Sequence, residues 1–256
     1  MDQAATLAFV EREYIVTLRE NQGQPQIVFS VLEDESLFDG RPFVAVGEIT
    51  YPPTGRGLPD PREMDRLNRI EEAIAAQMQP YNGVSLGHTS GAGVYRMYFQ
   101  LAENWPTAPL SIRLGILKSH TQTLEVRSDP TGETYAKFLK PTPLEIESTR
   151  NRHVLDQLQA AGDPLTEPRN VRFAFIFSTI EDRAKLRLWA ESNGLSVEPD
   201  AEWTDDEGGL WLVVDRIQRL DPEPLAIWTA ELKDVAEAHG GIFDGWEAEI
   251  KRGPRR

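Results

Sequence analysis

Val171-Arg172-Phe173-Ala174-Phe175-Ile176-Phe177-Ser178 sets three phenylalanines at every second position, with Ala174 and Ile176 between them. Side chains alternate across a strand, so Phe173, Phe175 and Phe177 share one face while Ala174 and Ile176 share the other. A strand that is apolar on both faces belongs inside a sheet, with neighbours on each flank. Working outward, Thr179 is placed to cap a helix running to about Asn193, which Gly194 ends. Leu195 to Trp203 and Leu210 to Ile217 read as two strands joined by the turn Thr204-Asp205-Asp206-Glu207-Gly208-Gly209. Leu225, Trp228, Leu232, Val235 and Ala236 then recur at helical spacing, Gly240-Gly241 closes that helix, and Ile242 to Ile250 is a last strand. Two crossovers with a hairpin between them give the split β-α-β layout of a ferredoxin-like fold. Both helices fall on one side of such a sheet, and the other side stays open unless something covers it.

The first half carries the same order after an opening hairpin. Tyr14 to Leu18 and Ile27 to Leu32 read as strands around Asn21-Gln22-Gly23-Gln24-Pro25, and Phe43 to Ile49 as a third. The Pro/Gly-rich stretch Tyr51 to Pro61 leads to a helix capped by Asp60, with Met64, Leu67, Ile70, Ile74 and Met78 on one face. Strands near Val84–Thr89 and Val94–Leu101 turn through Ser90-Gly91-Ala92-Gly93. A helix near Ala108 to Ser119 and a strand near Thr123 to Arg127 complete the set. The fold class expected is therefore α+β, two ferredoxin-like sandwich domains in tandem. Pro141-Thr142-Pro143 ends the first, and a polar helix from about Ser148 to Ala161 runs to the stop Gly162-Asp163-Pro164. The expected domains are 1–147 and 148–256.

Composition narrows the function. The chain has 256 residues, no cysteine, and a net charge of −14 from 27 basic and 41 acidic side chains. Up to Pro164 there are 15 basic and 22 acidic residues, and 12 and 19 after it, so neither half has the basic footprint that binds phosphate. Direct nucleic-acid binding is not expected, whereas a basic protein segment would be attracted. Without cysteine there are no disulfides, thiol nucleophiles or thiolate metal sites. No run approaches a membrane span, and the amino terminus lacks the layout of a secretory signal, which implies a cytoplasmic protein.

Candidate chemistry is sparse. His88, His120, His153 and His239 are far apart and read as solvated or capping residues rather than metal ligands. Gly87 to Gly93 lacks the following helix and lysine of a phosphate loop and reads as a hairpin turn. Asp205-Asp206-Glu207 is too short for a calcium loop. No cofactor, metal or catalytic residue is expected, and the chain reads as non-enzymatic. Asp244-Gly245-Trp246-Glu247 stands out, because glycine inside a strand marks a bulge and the tryptophan beside it offers a large apolar face. One reading packs Trp246 in the core with Ile242, Ala248 and Ile250. The other has Asp244, Gly245, Trp246, Glu247 and Trp211 forming or shaping a partner-binding face.

Gly240-Gly241-Ile242-Phe243-Asp244-Gly245-Trp246-Glu247 resembles the closing signature of the family named regulator of ribonuclease E activity B. The helix ending in Gly162-Asp163, the start Pro168-Arg169-Asn170-Val171-Arg172-Phe173 and the strand Gly209 to Val214 fit the same family, over about Arg150 to Ile250. The resemblance implies a small ferredoxin-like protein that inhibits the endoribonuclease by binding its non-catalytic carboxy-terminal region. The first half resembles the family catalogued as domain of unknown function 695. Asn82-Gly83-Val84, Tyr95 to Phe99, and Ser128-Asp129-Pro130 leading to Tyr135 to Pro141 carry that likeness, with Thr131-Gly132 where the family places a tryptophan. The leading expectation is a regulator that binds ribonuclease E or another basic protein segment. An adaptor for an unrelated bacterial partner and a carboxylate-dependent hydrolase are the alternatives.

Overall fold

The computed structural model describes residues 13–32, 35–103, 122–199 and 201–251. The chain divides into two compact units, Met1–Pro141 and Thr142–Arg256. It has mixed helices and strands, with one antiparallel sheet in each unit.

The first unit contains β1 (Tyr14–Asn21), β2 (Gln24–Val31), β3 (Phe43–Thr50), α1 (Pro61–Met78), β4 (Val84–Gly91), β5 (Val94–Leu101), β6 (Gln122–Ser128) and α2 (Glu133–Phe138). Its sheet order is β1-β2-β4-β5-β3-β6, so β6-β3-β5-β4 follows the ferredoxin-like arrangement and the opening hairpin extends it beyond β4. Asp60 caps α1 by accepting from the Glu63 N–H, and Leu67, Ile70, Ile74 and Met78 are buried against Tyr95, Met97 and Phe99 of β5. The helix expected near Ala108 to Ser119 lies outside the described residues.

The opposite face of this sheet is not left open. Val28, Val44, Leu86 and Tyr98 are covered by Leu37, Tyr135 and Leu139. The helix responsible, α2, is only six residues long, too short to stand alone. It is held at both ends: Asp129 accepts from the Glu133 and Thr134 N–H groups, and Arg19 donates to the Phe138 and Lys140 carbonyls. Tyr135 adds a hydrogen bond to the Val31 carbonyl at 2.8 Å.

The expectation of a solvated His88 is overturned. It is 8% exposed, stacked on Phe29, and its Nδ1 lies 2.8 Å from Glu71 Oε2. The same carboxylate oxygen accepts from the Tyr95 hydroxyl at 2.5 Å. Burial first, and the Glu71 charge second, push the Tyr95 hydroxyl far above the usual tyrosine range. His153 and His239 behave as expected: His153 Nε2 meets Gln157, and His239 Nδ1 meets the Val235 carbonyl at the end of its helix.

The second unit contains α3 (Pro143–Ala160), β7 (Arg169–Phe177), α4 (Ile180–Ser192), β8 (Glu202–Thr204), β9 (Leu210–Gln218), α5 (Pro222–Ala238) and β10 (Gly241–Ala248). Its sheet order β10-β7-β9-β8 is again ferredoxin-like. Val171, Phe173, Phe175 and Phe177 point into a core with Leu186 and Ala190 of α4, and Leu225, Leu232 and Ala236 of α5. Leu155 and Leu158 bring α3 onto the same core. That helix starts five residues earlier than the Ser148 expected from the sequence, because Thr142 and Glu145 form a reciprocal capping box with Pro143 at the first position. The strand expected from Leu195 to Trp203 is reduced to a single bridge, Ser196 with Asp215, and the three residues of β8. Pro199 between them has no N–H to give the ladder.

The loop after α3 is fixed by a buried ion pair between Asp163 and Arg169, whose side chains are 0% and 1% exposed. Asp163 also accepts from the Leu165 and Lys251 N–H groups, while Arg169 donates to the Glu249 carbonyl. One pair thus ties the entry of β7 to the chain beyond β10. The Arg169 guanidinium holds the Asp163 carboxyl well below the usual carboxylate range. A depressed folded-state value stabilises the fold above the ordinary carboxylate range, and that contribution is lost progressively as pH falls from that range towards the depressed value. Asp163→Asn leaves Arg169 buried without its counter-charge and is expected to cost about 3 kcal/mol at neutral pH. Urea unfolding of the variant and the parent chain should show this difference at pH 7 and a smaller one below the ordinary carboxylate range; equal stabilities at pH 7 would contradict it.

Candidate protein-binding surfaces

On β10, Phe243 lies opposite Phe175 and Trp246 opposite Phe173, and the register slips between Phe243 and Gly245. The slip is a β-bulge, and Gly245 adopts φ +133° within it. A Cβ at Gly245 would meet nothing within 4 Å, so it is backbone conformation, not crowding, that calls for glycine there. With one extra residue inserted, Phe243 and Trp246 point the same way although they are three apart. Both pack against the helical layer.

A polar relay fixes the Trp246 ring. Its Nε1 donates to Asn151 Oδ1 at 2.7 Å, Asn151 Nδ2 donates to Thr229 Oγ1 at 2.8 Å, and that hydroxyl donates to the Ala226 carbonyl at 3.2 Å. Asn151 and Thr229 are buried, so α3, α5 and β10 are pinned by groups that would each be costly to leave unpaired. Beside the relay lies a cleft of about 250 Å³. Its α3 wall carries Glu147, Arg150 and Val154, its α5 wall Lys233, and its β10 wall Phe243, Asp244, Gly245 and Trp246. Glu147, itself buried, sits 3.5 Å from the Arg150 guanidinium.

The other face of the sheet has a different character. Ile242 pairs with Ile176, Ile176 with Trp211 and Trp211 with Trp203, giving one apolar row across all four strands. Ile242 is 66% and Trp203 41% exposed. The two indole rings stack at 5.4 Å and 7°. Trp211 Nε1 donates to Asp205 Oδ2 at 2.7 Å; with the Gly209 N–H it holds the Asp205 carboxyl below its ordinary range. Asp205 is therefore a turn-forming acceptor. Further along the face, Arg172 reaches Glu247 at 2.9 Å and Asp215 at 3.7 Å. Among the described residues no helix of this unit packs on this face.

The five residues singled out in the sequence do not converge. Asp244, Gly245 and Trp246 line the cleft on the helical side, while Trp211 and Glu247 lie on the helix-free side. The expected grouping of Trp246 with Ile242 fails for the same reason, because the bulge turns Ile242 to the opposite face. Asn151, Thr229, Lys233 and Trp203 escaped the sequence reading. Trp203 was the most accessible of them, since a tryptophan on each side of a short turn predicts a cross-strand pair. Among the described residues no three histidine or carboxylate side chains gather where a metal could sit, and no helix is long and apolar enough to cross a membrane.

Residues 148–248 match the family described as regulator of ribonuclease activity B, and residues 17–140 match a family of unknown function, domain of unknown function 695. No curated protein matches the chain.

Asn151→Leu removes the middle of the relay and leaves Trp246 Nε1 without its acceptor. A loss of about 1–3 kcal/mol is expected in chemical denaturation, with the Trp246 indole N–H resonance shifted in a folded spectrum. An unchanged midpoint would show that the relay does not stabilise the unit.

Proposed function

We propose that the chain is a non-catalytic regulator that modulates ribonuclease E-type RNA turnover by binding the nuclease as a protein. The observation that carries this reading is the match of residues 148–248 to the regulator of ribonuclease activity B family. The surface chemistry supports it. The Ile242–Ile176–Trp211–Trp203 row is a band of large apolar side chains across a sheet face, the kind of anchor-rich surface on which most interface energy concentrates.

Charge favours a basic, flexible segment of the nuclease as the bound element. The chain carries −14 overall, and opposite charge speeds encounter in a salt-dependent way. An extended segment crossing the row would set apolar side chains against Trp203 and Trp211, and its cations near Glu247 and the acidic turn Asp205-Asp206-Glu207. The protein would act where the nuclease is found, in the cytoplasm, and would need no cofactor. Trp211 and Glu247 then touch the partner directly, whereas Asp244, Gly245 and Trp246 act from the other side of the sheet. Trp246 is part of the core, so its truncation tests stability before it tests binding.

The experiment is retention of purified ribonuclease E on immobilised chain, with Trp203→Ala as the informative variant because its ring is exposed and its loss spares the core. Loss of one anchor should weaken retention about tenfold or more while circular dichroism stays that of the parent chain. Association should also slow as ionic strength rises. Failure of the parent chain to retain the nuclease would contradict the reading, as would retention by the variant at parental strength.

A further inference from the structure

The cleft between α3, α5 and β10 is a separate feature from the apolar row, on the opposite side of the sheet, and the regulator reading above seats no part of the nuclease in it. We propose that it is a docking pocket for one large apolar side chain of an extended peptide, flanked in that peptide by a basic and an acidic residue. Size points to a single side chain. At about 250 Å³ the cleft falls below the roughly 300–1,000 Å³ of pockets that enclose a cofactor or other small molecule. Phe243, Trp246 and Val154, each only partly buried by their own unit, give the lining its apolar surface. Trp246 presents its ring and not its donor, because Nε1 is already satisfied by Asn151.

The rim supplies the polarity. Glu147 and Arg150 are 3.5 Å apart and offset each other. Asp244 on the β10 wall and Lys233 on the α5 wall have no ion-pair partner among the described residues. Two unpaired charges of opposite sign on facing walls match a peptide whose anchor has a cation on one side and an anion on the other. They do not match a phosphate, which Asp244 would repel, or a polycation, which Lys233 would repel. The bulge is part of the device. Without the residue it inserts, Phe243 and Trp246 would point to opposite faces and the floor would not exist.

The probe is acetyl-Lys-Trp-Glu-amide, titrated into the full chain and followed by the amide resonances of Gly245 and Lys233 and the indole N–H of Trp246. Saturable shifts at these positions are expected with a dissociation constant on the order of 1 mM or below. Acetyl-Lys-Gly-Glu-amide, which lacks the anchor, should bind about tenfold more weakly or not at all. Asp244→Lys, at an exposed position, should weaken the tryptophan peptide about two- to fivefold. Trp203→Ala should leave peptide binding unchanged, so failure here and failure of the ribonuclease reading remain distinguishable. The proposal is overturned if the shifts are absent up to about 10 mM peptide. Equal binding of the glycine peptide, or no effect of Asp244→Lys, overturns it as well.

Discussion

Phe173, Phe175 and Phe177 cannot all leave water unless something apolar covers the odd-numbered face of β7, and α4 and α5 do so. That requirement fixes the sidedness of the second unit. Leu212, Val214, Phe243, Trp246 and Ala248, paired with Val171, Phe173 or Phe175, join the core, whereas Ile242 and Trp211, paired with Ile176, are turned the other way. The exposed indole of Trp203 and the exposed Ile242 therefore follow from the placement of three phenylalanines. Their large apolar side chains occupy a face on which no helix of this unit packs among the described residues.

The bulge at Asp244–Gly245 is the one exception to strict alternation, and it decides what the motif around Trp246 does. Regular pairing would have sent Trp246 to the helix-free face if Phe243 stayed in the core. One inserted residue brings both aromatics to the helical side, where Asn151 and Thr229 hold the indole and a cleft opens beside it. A single backbone irregularity thus separates two surfaces of unlike character. One is a broad apolar row, and the other a small pocket with paired and unpaired charges at its rim.

Much of this was legible in the sequence because it rests on short-range patterning. The alternation in β7, the stripe of α1 and the cap at Thr179 each need only a few neighbouring residues, and the structure has all of them. Thr142-Pro143-Leu144-Glu145 carried an equally local signal for the start of α3, but Leu144 is exposed and the buried apolar positions of the helix begin only at Leu155. What could not be read depends on distant partners. α2 exists because Asp129 and Arg19 hold its ends, and Arg19 is more than a hundred residues away. His88 is buried because Phe29 and Tyr95 pack on its ring and Glu71, on the helix covering that face, reaches its Nδ1. The glycine at 245 announced a bulge, but only the pairing register says which way the next side chain turns.

On the proposed reading, the nuclease is held on the helix-free face of the second sheet. Photo-crosslinking from single positions tests it most directly, with a photoreactive residue at Ile242 or Ile217 on that face, or at Ile227 on α5, all three exposed. Crosslinks to purified ribonuclease E are expected from positions 242 and 217 and none from 227. Crosslinks from 227 alone, or from none of the three while the complex still forms, would contradict it.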